Sequence, residues 1–428
     1  MTAMYRDTSG TLNDTVFHFF LVTFSGRLTL VAVLALTFGP LAAQVNTGKA
    51  AHAPQLSFRP ADSLNAAAFQ HFYDMEYASS TQEFSEILAR HPDDPDAINH
   101  LITAVLFREL YRVGALNTGE YANDSFVGAA HRPADKQACD QIKSLVLRAL
   151  AAEEKLLQKN PKNTEALYAR GVTKAQYATY TALIEHAWFS ALRNALGARH
   201  DHEKVLELDP GNVDAKLVVG THNYVVGSLP WGVKAASSMI GLGGSKQKGI
   251  EYLQQAAAGN TEVSIDAKIV LVVFLRREKR FDESLQRLRS LLPEYPHNVL
   301  FAVEEGNLLR AKGQNGEAEA DYRRVWQEGR AGKFSGLHYE IAATALGDLL
   351  RNEKNYAAAA AAYEQVGTIQ NPDRDTAQKA ALGAGEMYDL MQQRDLAVKR
   401  YQAAVALDSR TALADAARKR IKEPYRGT

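Results

Sequence analysis

The chain has one cysteine, Cys139, among its 428 residues. A single thiol closes no internal disulfide and builds no cysteine metal site. An excess of either charge is missing too. Lys+Arg and Asp+Glu balance at 49 each, which leaves no basic field to draw the chain onto nucleic acid or an anionic membrane. Nucleic acid is therefore not an expected partner. Motifs of catalysis and metal binding are equally scarce. His200-Asp201-His202 sets its histidines two apart, on different faces of a helix, where they cannot chelate as an i, i+4 pair does. Gly241-Leu242-Gly243-Gly244-Ser245-Lys246 lacks the Gly-Lys-Ser/Thr ending of a phosphate loop and follows no strand, so it reads as a hinge. No serine occupies a nucleophile elbow, and no carboxylate pair stands out. Cys139 has no motif around it and is expected to pack on the helix from Pro133. The expectation is a non-enzymatic chain with no cofactor and no metal.

What the chain does have is a period. Val272 and Gly306 are 34 apart, as are Ser284 and Ala318, Leu288 and Tyr322, and Leu291 and Val325. Each copy reads as two short amphipathic helices: Asp266 to Glu278 with Asp282 to Leu292, then Leu300 to Lys312 with Asn315 to Gln327. Ser284 and Ala318 fall early in the second helix, where paired helices approach closely. A unit of this size cannot bury its apolar face alone, so it stacks on its neighbours. With 46% hydrophobic and 23% charged residues, the chain has ample apolar material for such a core.

The same phase runs outward. Ile87, Phe84 and Ser80, counted back from Pro92, match Leu291, Leu288 and Ser284 counted back from Pro296. Between them the units are expanded. Asp96 to Val113 is joined to Pro133 to Lys159 through a turn-rich loop, Gly114 to Arg132. Thr164 to Glu185 pairs with His186 to Leu208, and Val213 to Val226 is separated from Lys246 to Ala258 by a break around Leu229-Pro230-Trp231. Tyr339 to Asn352 with Tyr356 to Val366, and Thr376 to Leu390 with Asp395 to Leu407, are regular again. Ala412 to Lys422 is a polar capping helix.

At the N-terminus Val16 to Ala43 is nearly all apolar, broken by Arg27, and ends in small residues before Gln44. Positive charge, apolar core and small-residue site in that order describe a Sec-type secretory signal cut after Ala43, which predicts export to the periplasm. The alternative is an uncleaved anchor helix, since Phe17 to Phe24 lengthens the run, and only then would the chain sit on a membrane. The expected organisation is a signal peptide over 1–43, a flexible lead-in over 44–60, irregular expanded repeats over 61–264, regular repeats over 265–410, and a capping helix and tail over 411–428.

These residues resemble the tetratricopeptide repeat (TPR) family across about residues 61 to 410, and the expanded units around Leu229-Pro230-Trp231 are similar to exported bacterial repeat proteins. The family glycine of the first helix stands at Gly171, Gly220, Gly306, Gly347 and Gly385, whereas Lys268, Ala302 and Ala343 replace its large aromatic. The resemblance implies an all-α fold, a right-handed α-solenoid of stacked helix-turn-helix repeats, whose first helices line a concave groove for a protein or peptide. On it, Arg276, Arg310 and Arg351 form a groove ladder with Asn307 one turn before Arg310, suited to an anionic peptide end. An arginine near a helix C-terminus also simply complements the dipole. A second reading is a periplasmic small-ligand or transport accessory protein with a pocket in 95–264, lined by Tyr177, Tyr180, His186, Trp188 and Tyr224, with Trp231 as lid or packing plug.

Overall fold

The computed structural model describes residues 57–116, 133–229, 234 and 243–427. The signal segment, most of the lead-in, the greater part of the Gly114 to Arg132 loop, and Trp231 with its neighbours lie outside the described residues. The regular elements among those described are seventeen α-helices, with one isolated parallel bridge between Ser57 and Thr261. No described helix is long and apolar enough to cross a membrane.

Two compact units divide the chain, Met1–Phe274 and Leu275–Thr428. In the first, the hairpins are α1 (Asn65–Tyr73) with α2 (Tyr77–Arg90), α3 (Pro95–Val113) with α4 (Lys136–Lys159), α5 (Thr164–Leu183) with α6 (Trp188–Leu208), and α7 (Ala215–Gly227) with α8 (Lys246–Ala257). Helix α9 (Ser264–Arg277) carries the division. The second unit continues with α10 (Phe281–Leu291), the hairpins α11 (Val299–Lys312) with α12 (Asn315–Arg330), α13 (Glu340–Asn352) with α14 (Tyr356–Val366), and α15 (Arg374–Leu390) with α16 (Arg394–Leu407), and the capping helix α17 (Ala412–Lys422). In every hairpin named the first helix packs on its own second helix, and α2, α4, α6, α10, α12 and α14 each pack on the first helix that follows. Successive first helices also touch, α3 with α5 and α13 with α15.

Local chemistry sets the ends. Four first helices start at side-chain caps: Asp94, Asn163, Asn298 and Asp373 accept from the backbone N–H three residues on, and Pro95 occupies the first turn of α3, where its missing donor costs nothing. Inside several hairpins the turn needs one left-handed residue. Met75, His186, Lys279, Lys354 and Gln392 supply it with positive φ, and Gly313 does so without side-chain strain. Asn298→Ala, which leaves the Phe301 N–H uncapped, is expected to cost about 1 kcal/mol in urea-induced unfolding.

The regular hairpins interlock through a glycine and a tyrosine. A Cβ at Gly306, Gly347 or Gly385 would stand 2.5 Å from the ring of Tyr322, Tyr363 or Tyr401 respectively, so the ring lies flat against bare backbone. Each hydroxyl then donates to the first helix: Tyr322 to Asn307 at 2.9 Å, Tyr363 to Asp348 at 2.6 Å and Tyr401 to Asp389 at 2.8 Å. All three tyrosines are buried. The core of each regular hairpin is thus closed by an aromatic ring with a satisfied polar tip.

Candidate functional site

The arginines of the predicted ladder are taken up differently along the second unit. Arg276 makes a two-pronged pair with the buried Glu304 of α11, at 2.7 and 2.9 Å, and Asn307 donates to the same carboxylate at 3.0 Å. Arg351 pairs with Glu386 of α15 at 2.8 Å and donates to the Tyr425 hydroxyl at 2.7 Å, with its guanidinium 5.3 Å from that ring. Arg276 and Arg351 therefore tie first helices to their successors, and the C-terminal tail covers Arg351. Arg310 stays half-buried beside Tyr322 and has no ion-pair partner among the described residues.

Among the described residues the aromatic set makes three separate pairs of contacts. Tyr177 and Tyr180 stack at 5.9 Å, and Tyr180 is buried, with Lys143 5.7 Å above its ring. His186 and Trp188 lie 6.3 Å apart at the turn into α6. Tyr224 is buried and stacks on Phe274 at 3.8 Å. The histidines of His200-Asp201-His202 point apart, His200 exposed and His202 buried. Asp201 is instead gripped by Arg170 at 2.7 Å and Lys174 at 2.6 Å.

A different place carries a cleft. In the first unit, α3 contributes Asp96, Asn99, His100 and Thr103, α5 contributes Tyr168, Val172 and Gln176, and α7 contributes Leu217 and Val218. These are three successive first helices. With Phe69, His202, Asp214 and Glu262 they line a small cleft whose free volume is about 30 Å³. Asp96 lies in the first turn of α3, Asp214 precedes α7 and Glu262 precedes α9, so three carboxylates converge from helix starts.

One cation meets them. Arg59 reaches in from the end of the lead-in and donates to Asp214 at 2.8 Å and to Glu262 at 3.3 Å, with its guanidinium 4.8 Å from the centre of the Tyr168 ring. Its backbone N–H also donates to Glu262, at 3.1 Å. Phe58 stacks on Phe69 at 5.4 Å, Ser57 bridges Thr261, and the Pro60 carbonyl accepts from Asn65. Residues 57–60, which composition assigns to a flexible stretch, are thus docked on Thr261, Phe69, Asn65 and the acids of the cleft.

Because one guanidinium cannot neutralise three carboxylates, the excess is relieved by protons. Burial, reinforced by the other acids, pushes Glu262 up to about 8. Burial likewise pushes Asp96 up to about 7, and Arg59 pulls it the other way. Burial and then the nearby Arg59 hold His100 neutral, down to about 3.

Behind the cleft the repeat register is broken by polar residues. Eight positions before the closing prolines Pro92, Pro161, Pro210 and Pro296 stand Phe84, Glu153, His202 and Leu288. Glu153 and His202, both fully buried, therefore occupy places that are apolar or tyrosine elsewhere in the array. His202 sits over Gly171 as Tyr322 sits over Gly306: a Cβ at Gly171 would be 2.6 Å from its Nε2. Yet among the described residues neither ring nitrogen of His202 has a hydrogen-bond partner, and Gln176 Oε1 has none either. The residue after Gly171 is Val172, where Gly306 and Gly347 are followed by the acceptors Asn307 and Asp348. Burial pushes Glu153 up to about 8, and it hydrogen-bonds Thr173, which also bonds Asn99 at 2.7 Å. Counting back from the prolines finds Glu153 and His202 in the sequence. The acid trio leaves no such trace, because acids at helix starts are ordinary.

Spacing, glycine–tyrosine interlock and hairpin order agree across the regular half. The fold is a TPR-like stack of helix-turn-helix hairpins. No family model matches the chain, and no curated protein matches it. Among solved structures, the human IFIT1 dimer with m7Gppp-AAAA is 15% identical over 86% of this chain and 82% of that one, with a TM-score of 0.41. The APC/C hetero-tetramer Cut9–Hcn1 is 14% identical over 84% of this chain and 55% of that one, with a TM-score of 0.44. Yeast Tom70 is 15% identical over 84% and 89%, with a TM-score of 0.38. Similarity at this level transfers no ligand, and the TPR-type reading rests on the hairpins themselves.

Proposed function

We propose that the chain is an exported, non-enzymatic TPR-type scaffold that binds a protein partner through an extended peptide laid on its first helices, with the cleft of the first unit as the specific site. The observation that carries this is the docked segment at residues 57–60. A backbone bridge, a stacked phenylalanine and an inserted arginine are the contacts an extended peptide makes on a receptor face, and here the chain makes them with itself. A small-ligand pocket fits the cleft less well, since a side chain already enters it. Arg276, Asn307, Arg310 and Arg351 remain candidates for a second contact, with Arg310 the one whose head group is not taken up.

Selection of a displayed random-peptide library on the full chain tests the reading. The expected result is a shared motif whose peptides slow hydrogen exchange of α3 and α5 amides. A failure to enrich any motif, or protection confined to other helices, rejects it. Export is tested separately by mass spectrometry of the protein recovered from its native envelope. A mature N-terminus at Gln44 is expected, and an intact residue 1 would favour the anchored alternative.

A further inference from the structure

The acidic cleft is built for a guanidinium group, and the one that fills it belongs to a short terminal segment. Asp214 and Glu262 are buried, Asp96 is partly so, and the base of the cleft is the face of Tyr168, which suits a planar cation. Carboxylates alone would not make a ligand site. A second feature does: His202, 0% exposed, lines the same cleft with both ring nitrogens unpartnered, and so does Gln176, 1% exposed, with its Oε1 unpartnered. A neutral imidazole offers one donor and one acceptor, and the amide oxygen offers another acceptor. Arg59 makes none of these bonds. Its contacts are to Asp214, Glu262 and Tyr168, and its side chain keeps 31% exposure at the mouth. The resident arginine therefore leaves buried capacity unused, in a protein whose regular hairpins satisfy the equivalent tyrosine each time.

We propose that the cleft is the receptor for an arginine side chain of a partner peptide, carried on an aromatic–arginine pair, and that Phe58 and Arg59 are its built-in competitor, displaced when the partner binds. This rests on the peptide-scaffold reading above and specifies its ligand. The competitor is local, four residues long between the Ser57 bridge and the Pro60 carbonyl contact, so it can leave without unfolding a helix. A competitor that must vacate lowers the apparent affinity of the partner by the fraction of chains that are open.

The test uses the full chain in three forms: unaltered, Arg59→Ala, and Phe58→Ala, which keeps the arginine but removes its aromatic anchor. The probe is a synthetic peptide of the chain's own sequence over residues 55–62, with variants carrying citrulline or lysine for the arginine, and arginine amide as a free small guanidinium. By calorimetric titration the arginine peptide is expected to bind Arg59→Ala at least about tenfold more tightly than the unaltered chain, with Phe58→Ala between them. The neutral citrulline peptide should lose about thirtyfold or more on Arg59→Ala. Equal binding of arginine and citrulline peptides overturns the proposal while leaving a peptide groove standing. Binding of arginine amide as tight as the peptide overturns the partner-peptide assignment in favour of a small guanidino ligand. Should Arg59→Ala fail to fold, Phe58→Ala decides: no gain in peptide affinity over the unaltered chain rejects the competitor.

Discussion

Arg59→Ala is expected to destabilise the first unit by about 3 kcal/mol at pH 8 and by far less at pH 5. Removing one partner of a buried ion pair leaves its acids uncompensated, which costs about 3–5 kcal/mol, and the lower end applies because the guanidinium is 31% exposed. The pH dependence follows from the acids left behind. Asp96 and Glu262 already titrate near 7 and 8 in the folded chain, above their unfolded values, and without Arg59 they move higher. A folded state with raised acid pKa values binds more protons than the unfolded chain. The resulting stabilisation is complete below the unfolded carboxylate range and is lost as pH rises through the folded values. The variant's deficit must therefore open with rising pH. The unaltered chain should show a milder version of the same slope, losing stability between about pH 6.5 and pH 8. In that window Asp96, Glu153 and Glu262 release protons, while His100, His202 and His222, whose folded pKa values are depressed to between about 3 and 4, are neutral in the folded state and shed the protons they hold in the unfolded chain mostly below about pH 7. Urea titrations at the two pH values, with hydrogen exchange locating the loss in α3 and α5, check both statements. A deficit equal at pH 5 and pH 8 would show that Arg59 acts by packing alone.

The array was legible because its rules are local. A 34-residue phase and prolines after second helices place the helices to within a few residues, and Tyr356–Val366 and Ala412–Lys422 coincide with their expected bounds. The site was less legible because its residues mean something ordinary where they stand. Asp96 reads as a first-turn acid, Asp214 as part of a turn after Pro210, and Arg59 as one residue of an Ala- and Pro-rich stretch. Only the tertiary fold brings residues 155 and 203 positions from Arg59 to its guanidinium. The arginine ladder shows the converse. Its spacing was readable, but the partners Glu304 and Glu386 belong to the following first helix in each case, so head groups expected for a ligand are spent in part on joining repeats. In the sequence His202 belongs to a weak His-Asp-His motif, and its register position carries the stronger message.

That register also fixes where the second unit is weakest. Tyr363→Ala is expected to cost about 4 kcal/mol, within the range for deleting a buried aromatic ring. The Tyr363 ring is 2% exposed and fills two surfaces at once: a Cβ at Gly347 of α13 would stand 2.5 Å from it, and one at Gly383 of α15 would stand 2.8 Å from it. Its loss leaves a void between a first helix, its own second helix and the next first helix, which cannot collapse without moving all three. Tyr363→Phe separates the ring from the hydroxyl. It removes the 2.6 Å bond to Asp348, which keeps Lys379 at 2.8 Å, and the contact with Arg351, which keeps Glu386, so a cost of about 1 kcal/mol is expected. Because neighbouring repeats hold each other up, Tyr363→Ala should also raise hydrogen exchange in α13 and α15 together, rather than in α14 alone. A change confined to α14, or an unfolding penalty no larger than that of Tyr363→Phe, would mean that the glycine faces close over the gap and that the ring is not what couples these repeats.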